Sequence, residues 1–130
     1  MSAENTVTTT IAREKFAKSH GGDYVLPQIT NVAFGTGGHN TSTGKPIPPE
    51  NTYTEVPGEI INKEINSHEY PVDTALRVIG SISDLDIGTG DDISACGIYD
   101  SEGDLVAIKT FSPKTMSADM TIEVAWDELF

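Results

Sequence analysis

Two short apolar runs near the C-terminal end of the chain give its clearest pattern. They span residues 93–99 and 105–111, and the cluster Asp-Ser-Glu-Gly-Asp separates them at residues 100–104. Such a cluster turns the chain because Gly103 tolerates a positive φ and the Asp and Ser side chains can bond nearby backbone. Two matched apolar runs joined by a short, glycine-containing turn predict a β-hairpin.

A returning strand is predicted after this hairpin. Residues 112–114, Ser-Pro-Lys, are expected to break the second hairpin strand. Strict alternation then follows over Thr121–Asp127, with Ile122, Val124 and Trp126 on one face. This is the pattern of a half-buried antiparallel strand.

The N-terminal part predicts one short helix. Thr10 is a candidate cap, basic residues lie in the last turn, and Gly21-Gly22 comes just beyond it, which together indicate a helix that runs from Ile11 towards Gly21-Gly22. Residues 1–9 are polar and rich in Thr, and they fit either a flexible arm or an edge strand. They have no apolar core of the kind that a signal peptide requires.

Three further strands are predicted between the helix and the hairpin. Residues 28–34 alternate, and residues 75–82 place Leu76, Val78 and Ile82 on one face. Residues 59–66 fit a helical turn or a strand, and their continuation towards Pro71 favours one long strand. The expected fold is a single α+β domain over residues 1–130. It is mainly an antiparallel sheet of four to five strands, with one short N-terminal helix and a long Gly/Pro/Thr-rich loop.

The long loop, residues 35–58, offers little apolar material for a core. A loop of this length is uncommon in a compact domain and is usually functional or disordered. We therefore treat it as the first candidate for contacts with a partner. The candidate contact residues are His39, Lys45, Ile47 and Tyr53.

Charge narrows the classes of partner. The formal net charge is −12 and only 8 residues are Lys or Arg, so no basic cluster is present to bind a nucleic-acid backbone or an anionic membrane. No apolar stretch approaches the ~18 residues of a membrane helix. The single cysteine, Cys96, excludes an internal disulfide, and its apolar strand favours a small buried side chain.

No motif for catalysis or metal binding is complete. Asp84–Asp92 begins like a helix–loop–helix calcium site but has Gly88, Thr89 and Ala95 where that site needs an acid or amide, a glycine and a glutamate. A solvated acidic turn is favoured there, and a looser site of two or three carboxylates stays open. The three histidines (His20, His39, His68) lack metal-ligand spacing, and Tyr99 and Trp126 are expected in the core. We therefore expect no enzymatic activity, no metal and no cofactor.

The order of several short motifs resembles the bacteriophage tail-collar fibre family. The motifs are Gly97–Asp100, Gly103–Ala107, Phe111–Lys114 and Trp126, preceded by a similar opening segment, Val32–Gly38. The resemblance implies a structural part of a virion, or of a phage tail-like contractile particle, assembled in the host bacterial cytoplasm. There it would attach the tail fibre to the baseplate.

The same resemblance implies a baseplate protein, a fibre shaft protein, or both as partners, and a homotrimeric state. Two other functions stay open from the residues alone. One is a small-molecule or glycan-binding module that uses the 35–57 loop. The other, less favoured by the motifs, is a small hydrolase.

Overall fold

The computed structural model describes residues 5–129. Within them the chain forms eight strands and two helices. In order these are β1 (Thr6–Thr8), α1 (Thr10–His20), β2 (Ile29–Gly35), β3 (Glu59–Glu64), β4 (Ser67–Glu69), β5 (Ala75–Ser83), α2 (Asp84–Ile87), β6 (Asp92–Asp100), β7 (Leu105–Thr115) and β8 (Thr121–Leu129).

The strands form two antiparallel sheets. The larger has the order β1-β7-β6-β2-β3, and the smaller has the order β4-β5-β8. The expected α+β class with a dominant antiparallel sheet is therefore confirmed. The prediction of four to five strands was too low, because a second sheet is needed to cover the apolar face of the first. A second helix, the single turn α2, was also missed.

The main core lies between the two sheets. Alternate residues of β2 and β6 pack against alternate residues of β5 and β8. The faces of β5 and β8 that the sequence predicted to be apolar therefore point into this core, as expected. The sheets approach closely at Gly80, where a Cβ atom would lie 2.5 Å from Val32 Cγ1. The largest fully buried side chains of this core are Trp126, Phe34, Ile82, Ile93, Ile98 and Met116.

The opposite face of the larger sheet carries a second, smaller core. Its buried residues are Ala33, Val56, Ala95, Tyr99, Leu105 and Ile108, with Val7 and Tyr53 packed against them. Val56 and Tyr53 belong to residues 36–58, which join β2 to β3. This connection therefore covers a face of the sheet.

Helix α1 begins one residue earlier than predicted. Thr9, not Thr10, is the N-cap, and its side chain accepts a hydrogen bond from the Ala12 N–H. Thr9 is fully buried and its hydroxyl also donates to the Leu105 carbonyl at 2.5 Å, which explains why the cap lies at this position. Residues 6–8 form an edge strand on β7, and the rest of the predicted arm, residues 1–4, lies outside the described residues.

The hairpin of β6 and β7 is confirmed, but the predicted break at residues 112–114 was wrong. Strand β7 continues to Thr115 across an irregularity, because Ala95 pairs with Thr110 whereas Ile93 pairs with Lys114. Pro113 falls inside this bulge, where its missing N–H interrupts no regular ladder.

The prediction of one long strand from residue 59 to residue 70 was also wrong. The chain leaves the larger sheet after β3 and enters the smaller sheet as β4. The Ile65 N–H donates to the Thr30 carbonyl of one sheet, and the Asn66 N–H donates to the Ile79 carbonyl of the other. Two adjacent residues thus donate hydrogen bonds to different sheets, which a single straight strand could not do.

Candidate functional site

Three of the four predicted contact residues lie on a small hairpin within residues 38–47. The Ile47 N–H donates to the Gly38 carbonyl at 2.8 Å, and the Asn40 N–H donates to the Lys45 carbonyl at 2.9 Å. Lys45 is exposed, and so is much of the Ile47 side chain. Tyr53 lies further along the connection and packs half-buried on the second core. The structure therefore brings His39, Lys45 and Ile47 together and uses Tyr53 for packing.

His39 attaches this small hairpin to the sheet. Its Nδ1 lies 2.7 Å from the Ser94 hydroxyl, and that hydroxyl also accepts a hydrogen bond from the Gly38 N–H at 2.9 Å. Ser94 is fully buried in β6. A nucleophile must reach a substrate carbonyl, so a serine enclosed in this way fits structural attachment better than acyl transfer.

The hairpin turn carries a cluster of charges that the sequence did not reveal. Carboxylates of Asp100, Glu102 and Asp104 lie close enough together to hold a cation. The ammonium of Lys15 on α1 lies among them, at 2.6 Å from Asp100, 2.9 Å from Glu102 and 2.7 Å from Asp104. Burial alone would lower the pKa of Lys15, but its bonds to these carboxylates outweigh burial and raise it. The cluster holds the helix to the hairpin turn.

Two carboxylates of the acidic connection after β5 accept hydrogen bonds from backbone N–H groups. The Asp86 carboxylate accepts a hydrogen bond from the Ser83 N–H at 2.8 Å, and this bond, together with Lys63, holds the pKa of Asp86 below its usual range. The Asp84 carboxylate accepts from the Asp119 N–H at 3.2 Å. Within residues 5–129, no group of three potential metal ligands includes a residue of this connection.

The three side chains expected in the core are buried. Burial raises the pKa of the Cys96 thiol to about 12, which leaves it protonated and unreactive. The Tyr99 hydroxyl accepts from the Val56 N–H and donates to Glu59, so it ties residues 36–58 to the sheet. Trp126 is covered by Lys109, whose Nζ lies 4.3 Å from the ring centre. The other two histidines, His20 and His68, are exposed.

An apolar groove that the sequence did not predict runs beside α1. Two adjoining clefts share Ile29 and Leu76 in their walls. One lies against α1 and includes Phe16 and Glu128, and the other lies below His68 and Tyr70. The only hint in the sequence was Val25-Leu26, an apolar pair that lies beside Pro27 and outside the predicted strands. We call these two clefts the Ile29–Leu76 groove.

Comparison with known proteins found no family model, no characterised protein and no solved structure that matches this chain. Neither helix within residues 5–129 has the length and apolar character that crossing a membrane requires.

Proposed function

We propose that the chain is a structural component of a bacteriophage tail or of a phage tail-like contractile particle, where it attaches the tail fibre to the baseplate. Its partners are then a baseplate protein, a fibre shaft protein, or both. In this role it works by surface complementarity and has no catalytic turnover.

The observation that carries this proposal is that the motifs behind the family resemblance lie together in the fold. Gly97–Asp100 on β6 and Gly103–Ala107 at the start of β7 form the central hairpin, and β2, which carries the opening motif, pairs with β6. Trp126 packs beneath the hairpin, against Lys109. The motifs therefore lie on neighbouring, paired strands, as a shared attachment framework requires.

Steric requirements within these motifs give further support. A Cβ atom at Gly97 would lie 2.7 Å from Val56 Cγ2 and 2.8 Å from Leu105 Cδ1, so a side chain at this position would push residues 36–58 off the sheet. Gly38 is equally constrained, because its Cβ would lie 2.3 Å from the Ser94 carbonyl oxygen. Gly97 and Gly38 therefore both allow residues 36–58 to pack closely on the larger sheet.

Purified particles from a bacterium that encodes the chain test the proposal. The chain should be found in them, and particles from a deletion strain should lack fibres in negative-stain micrographs. Complementation with the wild-type chain should restore the fibres, whereas Gly97→Val should not, because its side chain clashes with Val56. Normally attached fibres in the deletion strain would contradict the attachment role.

A glycan-binding module is the second candidate, and one observation favours it. An open hollow of about 410 Å³ lies over residues 52–57 and is lined by Tyr53, Thr52, Thr54 and Glu55. An aromatic ring beside hydroxyl and carboxylate groups can contact both the apolar face and the hydroxyls of a sugar. A glycan array probed with the wild-type chain and with Tyr53→Ala tests this function, and an absence of Tyr53-dependent signal would exclude the hollow as the site.

A further inference from the structure

Exposed apolar side chains line the Ile29–Leu76 groove or lie close to its lining residues in sequence. Among the described residues, eight large hydrophobic side chains are exposed; two of them, Leu26 and Tyr70, line the groove, and two more lie within two residues of these in sequence. The four are Val25 (90 % exposed), Leu26 (43 %), Tyr70 (68 %) and Val72 (58 %). Exposed apolar side chains in the walls of adjoining clefts are typical of a binding site for another molecule.

The volumes of the two clefts indicate what kind of molecule fits. They are about 110 Å³ and about 130 Å³, and they adjoin at Ile29 and Leu76. Small-molecule sites are usually single cavities of roughly 300–1,000 Å³. Two adjoining clefts, each large enough for one apolar side chain, instead suit an extended peptide that inserts alternate side chains as anchors.

The charges along the groove are not balanced. Asp100 at the wall is paired with Lys15 at 2.6 Å. Glu128 accepts a hydrogen bond from the Trp126 indole at 2.7 Å but forms no ion pair with any residue in 5–129. Burial raises the pKa of Glu128, and the Trp126 bond and the charge of Lys109, which lies over the Trp126 ring, oppose this only in part. A cation beside this carboxylate would restore the balance, and the net charge of −12 would attract one.

We propose that the Ile29–Leu76 groove binds an extended apolar segment of a partner protein, and that a lysine or arginine of this segment pairs with Glu128. The apolar side chains of the segment fill the two clefts and cover Leu26 and Tyr70. This inference deepens the proposed function, because the segment would belong to the baseplate or shaft protein.

Two synthetic peptides provide the probe. They are N-acetylated, C-amidated pentapeptides of sequence Leu-Ser-Leu-Ser-Lys and Leu-Ser-Leu-Ser-Glu, which differ only in the sign of one charge and, when extended, present both leucines and the charged residue on one face. The chain contains one tryptophan, whose indole N–H is bonded to Glu128, so a single indole cross-peak in a ¹H–¹⁵N spectrum reports on this carboxylate. The lysine peptide should move that cross-peak and bind about tenfold more tightly than the glutamate peptide, as expected for one charge pair worth about 1.4 kcal/mol.

Three variants separate the parts of the site. Glu128→Gln keeps an oxygen that accepts the indole bond, and it should abolish the difference between the two peptides. Leu26→Ser should weaken both peptides, because it removes an apolar wall of the first cleft. Leu85→Ser is the matched control, since Leu85 is 92 % exposed and does not line the groove, and it should change neither affinity.

Several outcomes would overturn the inference. Equal affinities of the two peptides for the wild-type chain would exclude the charge pair. Binding of hexylammonium without binding of either peptide would identify a small-molecule site instead. If Glu128→Gln fails to fold, the wild-type chain still decides, because its affinity for the lysine peptide must rise as Glu128 ionises with increasing pH.

The failure of this inference can be distinguished from that of the proposed function. An electron cryo-microscopy map of the particle that shows the chain at the baseplate with an uncovered groove would overturn the groove alone. Peptide binding by a chain that is absent from particles would instead overturn the attachment role and leave the groove as a peptide site.

Discussion

Gly80 lies where β5 packs against β2, and it sets the distance between the two sheets. Its Cβ would be 2.5 Å from Val32 Cγ1, so Gly80→Ala must move one sheet or force Val32 out of its rotamer. We expect the free energy of unfolding to fall by about 1–3 kcal/mol, as is typical of overpacking. Chemical denaturation measures this loss.

A second substitution tests the cause of that loss. Val32→Ala removes the two methyl groups nearest to the new Cβ, so the double variant should lose less stability than the sum of the single variants. Gly21→Ala is the matched control, because its φ is −75° and its Cβ would meet nothing nearer than 3.6 Å. Additive losses in the double variant would show that contact with Val32 is not the reason.

Glu128 gives the pH dependence a definite sign. Burial raises the pKa of Glu128 in the folded chain. At pH values between its pKa in the unfolded chain and this higher pKa, the folded chain therefore binds more protons than the unfolded chain. The contribution of Glu128 to the free energy of unfolding is therefore greatest below its pKa in the unfolded chain, about 4.3, and is lost as the pH rises through its pKa in the folded chain. We expect Glu128→Gln to increase stability at pH 7 relative to the wild type.

Urea denaturation of both chains from acidic to neutral pH checks this sign. The difference in stability between Glu128→Gln and the wild type should grow as the pH rises through the folded pKa of Glu128. Asp92→Asn is the control at an exposed carboxyl. A difference that is constant with pH, or that shrinks as the pH rises, would contradict a raised pKa.

At the scale of elements, Thr9 connects three of them at one point. It follows β1, caps α1 and donates its hydroxyl proton to the Leu105 carbonyl of β7. Thr9→Val keeps the shape but removes these bonds, and it should cost about 1–2 kcal/mol. Thr9→Ser keeps the hydroxyl and should cost less. A larger loss for Thr9→Ser than for Thr9→Val in thermal melts would mean that packing of the methyl group, rather than the cap, matters.

The Lys15 cluster predicts how the hairpin turn responds to metal ions. The Lys15 ammonium already lies within 2.9 Å of all three carboxylates, so calcium has no vacant position there. Thermal melts of the wild type in EDTA and in calcium should coincide. Lys15→Ala should melt lower, because it leaves the buried Asp100 unpaired, and calcium should recover part of the loss. A rise of several degrees in the wild-type melting temperature with calcium would contradict this prediction.

Elements with a strong local pattern could be predicted from the sequence, and contacts between distant elements could not. The hairpin of β6 and β7, strand β5 and strand β8 follow from alternation and turn residues, which are local. The change of sheet at Ile65–Asn66 depends on carbonyls of Thr30 and Ile79 that are distant in sequence. The Ile29–Leu76 groove was missed for the same reason, because its walls come from seven separate segments.

At the scale of the whole molecule, the connection formed by residues 36–58 covers one face of the larger sheet, where another fold would place a third layer of helices or strands. The larger sheet has two apolar faces, and only one is covered by the smaller sheet. The other face is covered by Val56 and Tyr53 and is fastened by the bonds of Ser94 and Tyr99. A segment that the sequence indicated as a partner-contact loop therefore also contributes to the core, through Val56 and Tyr53.

The last prediction concerns assembly. The resemblance to tail fibres leads us to expect a homotrimer, at least within the particle. Strand β8 offers a nine-residue edge that, within residues 5–129, pairs only with β5, and such edges favour burial against a neighbour. Each copy carries −12, however, so the copies repel one another through water. Salt screens this repulsion, with a Debye length of about 10 Å at 0.1 M, and leaves apolar contacts intact.

Trimer formation should therefore strengthen as the salt concentration rises. Light scattering after size exclusion, at low and at high salt, measures it. Ala125→Lys, on the exposed face of β8, reduces the negative charge, and it should shift the transition to lower salt if repulsion is what opposes assembly. A trimer that weakens with salt would point to ion pairs at the interface. A monomer at every salt concentration would mean that trimer formation needs the shaft or the baseplate itself.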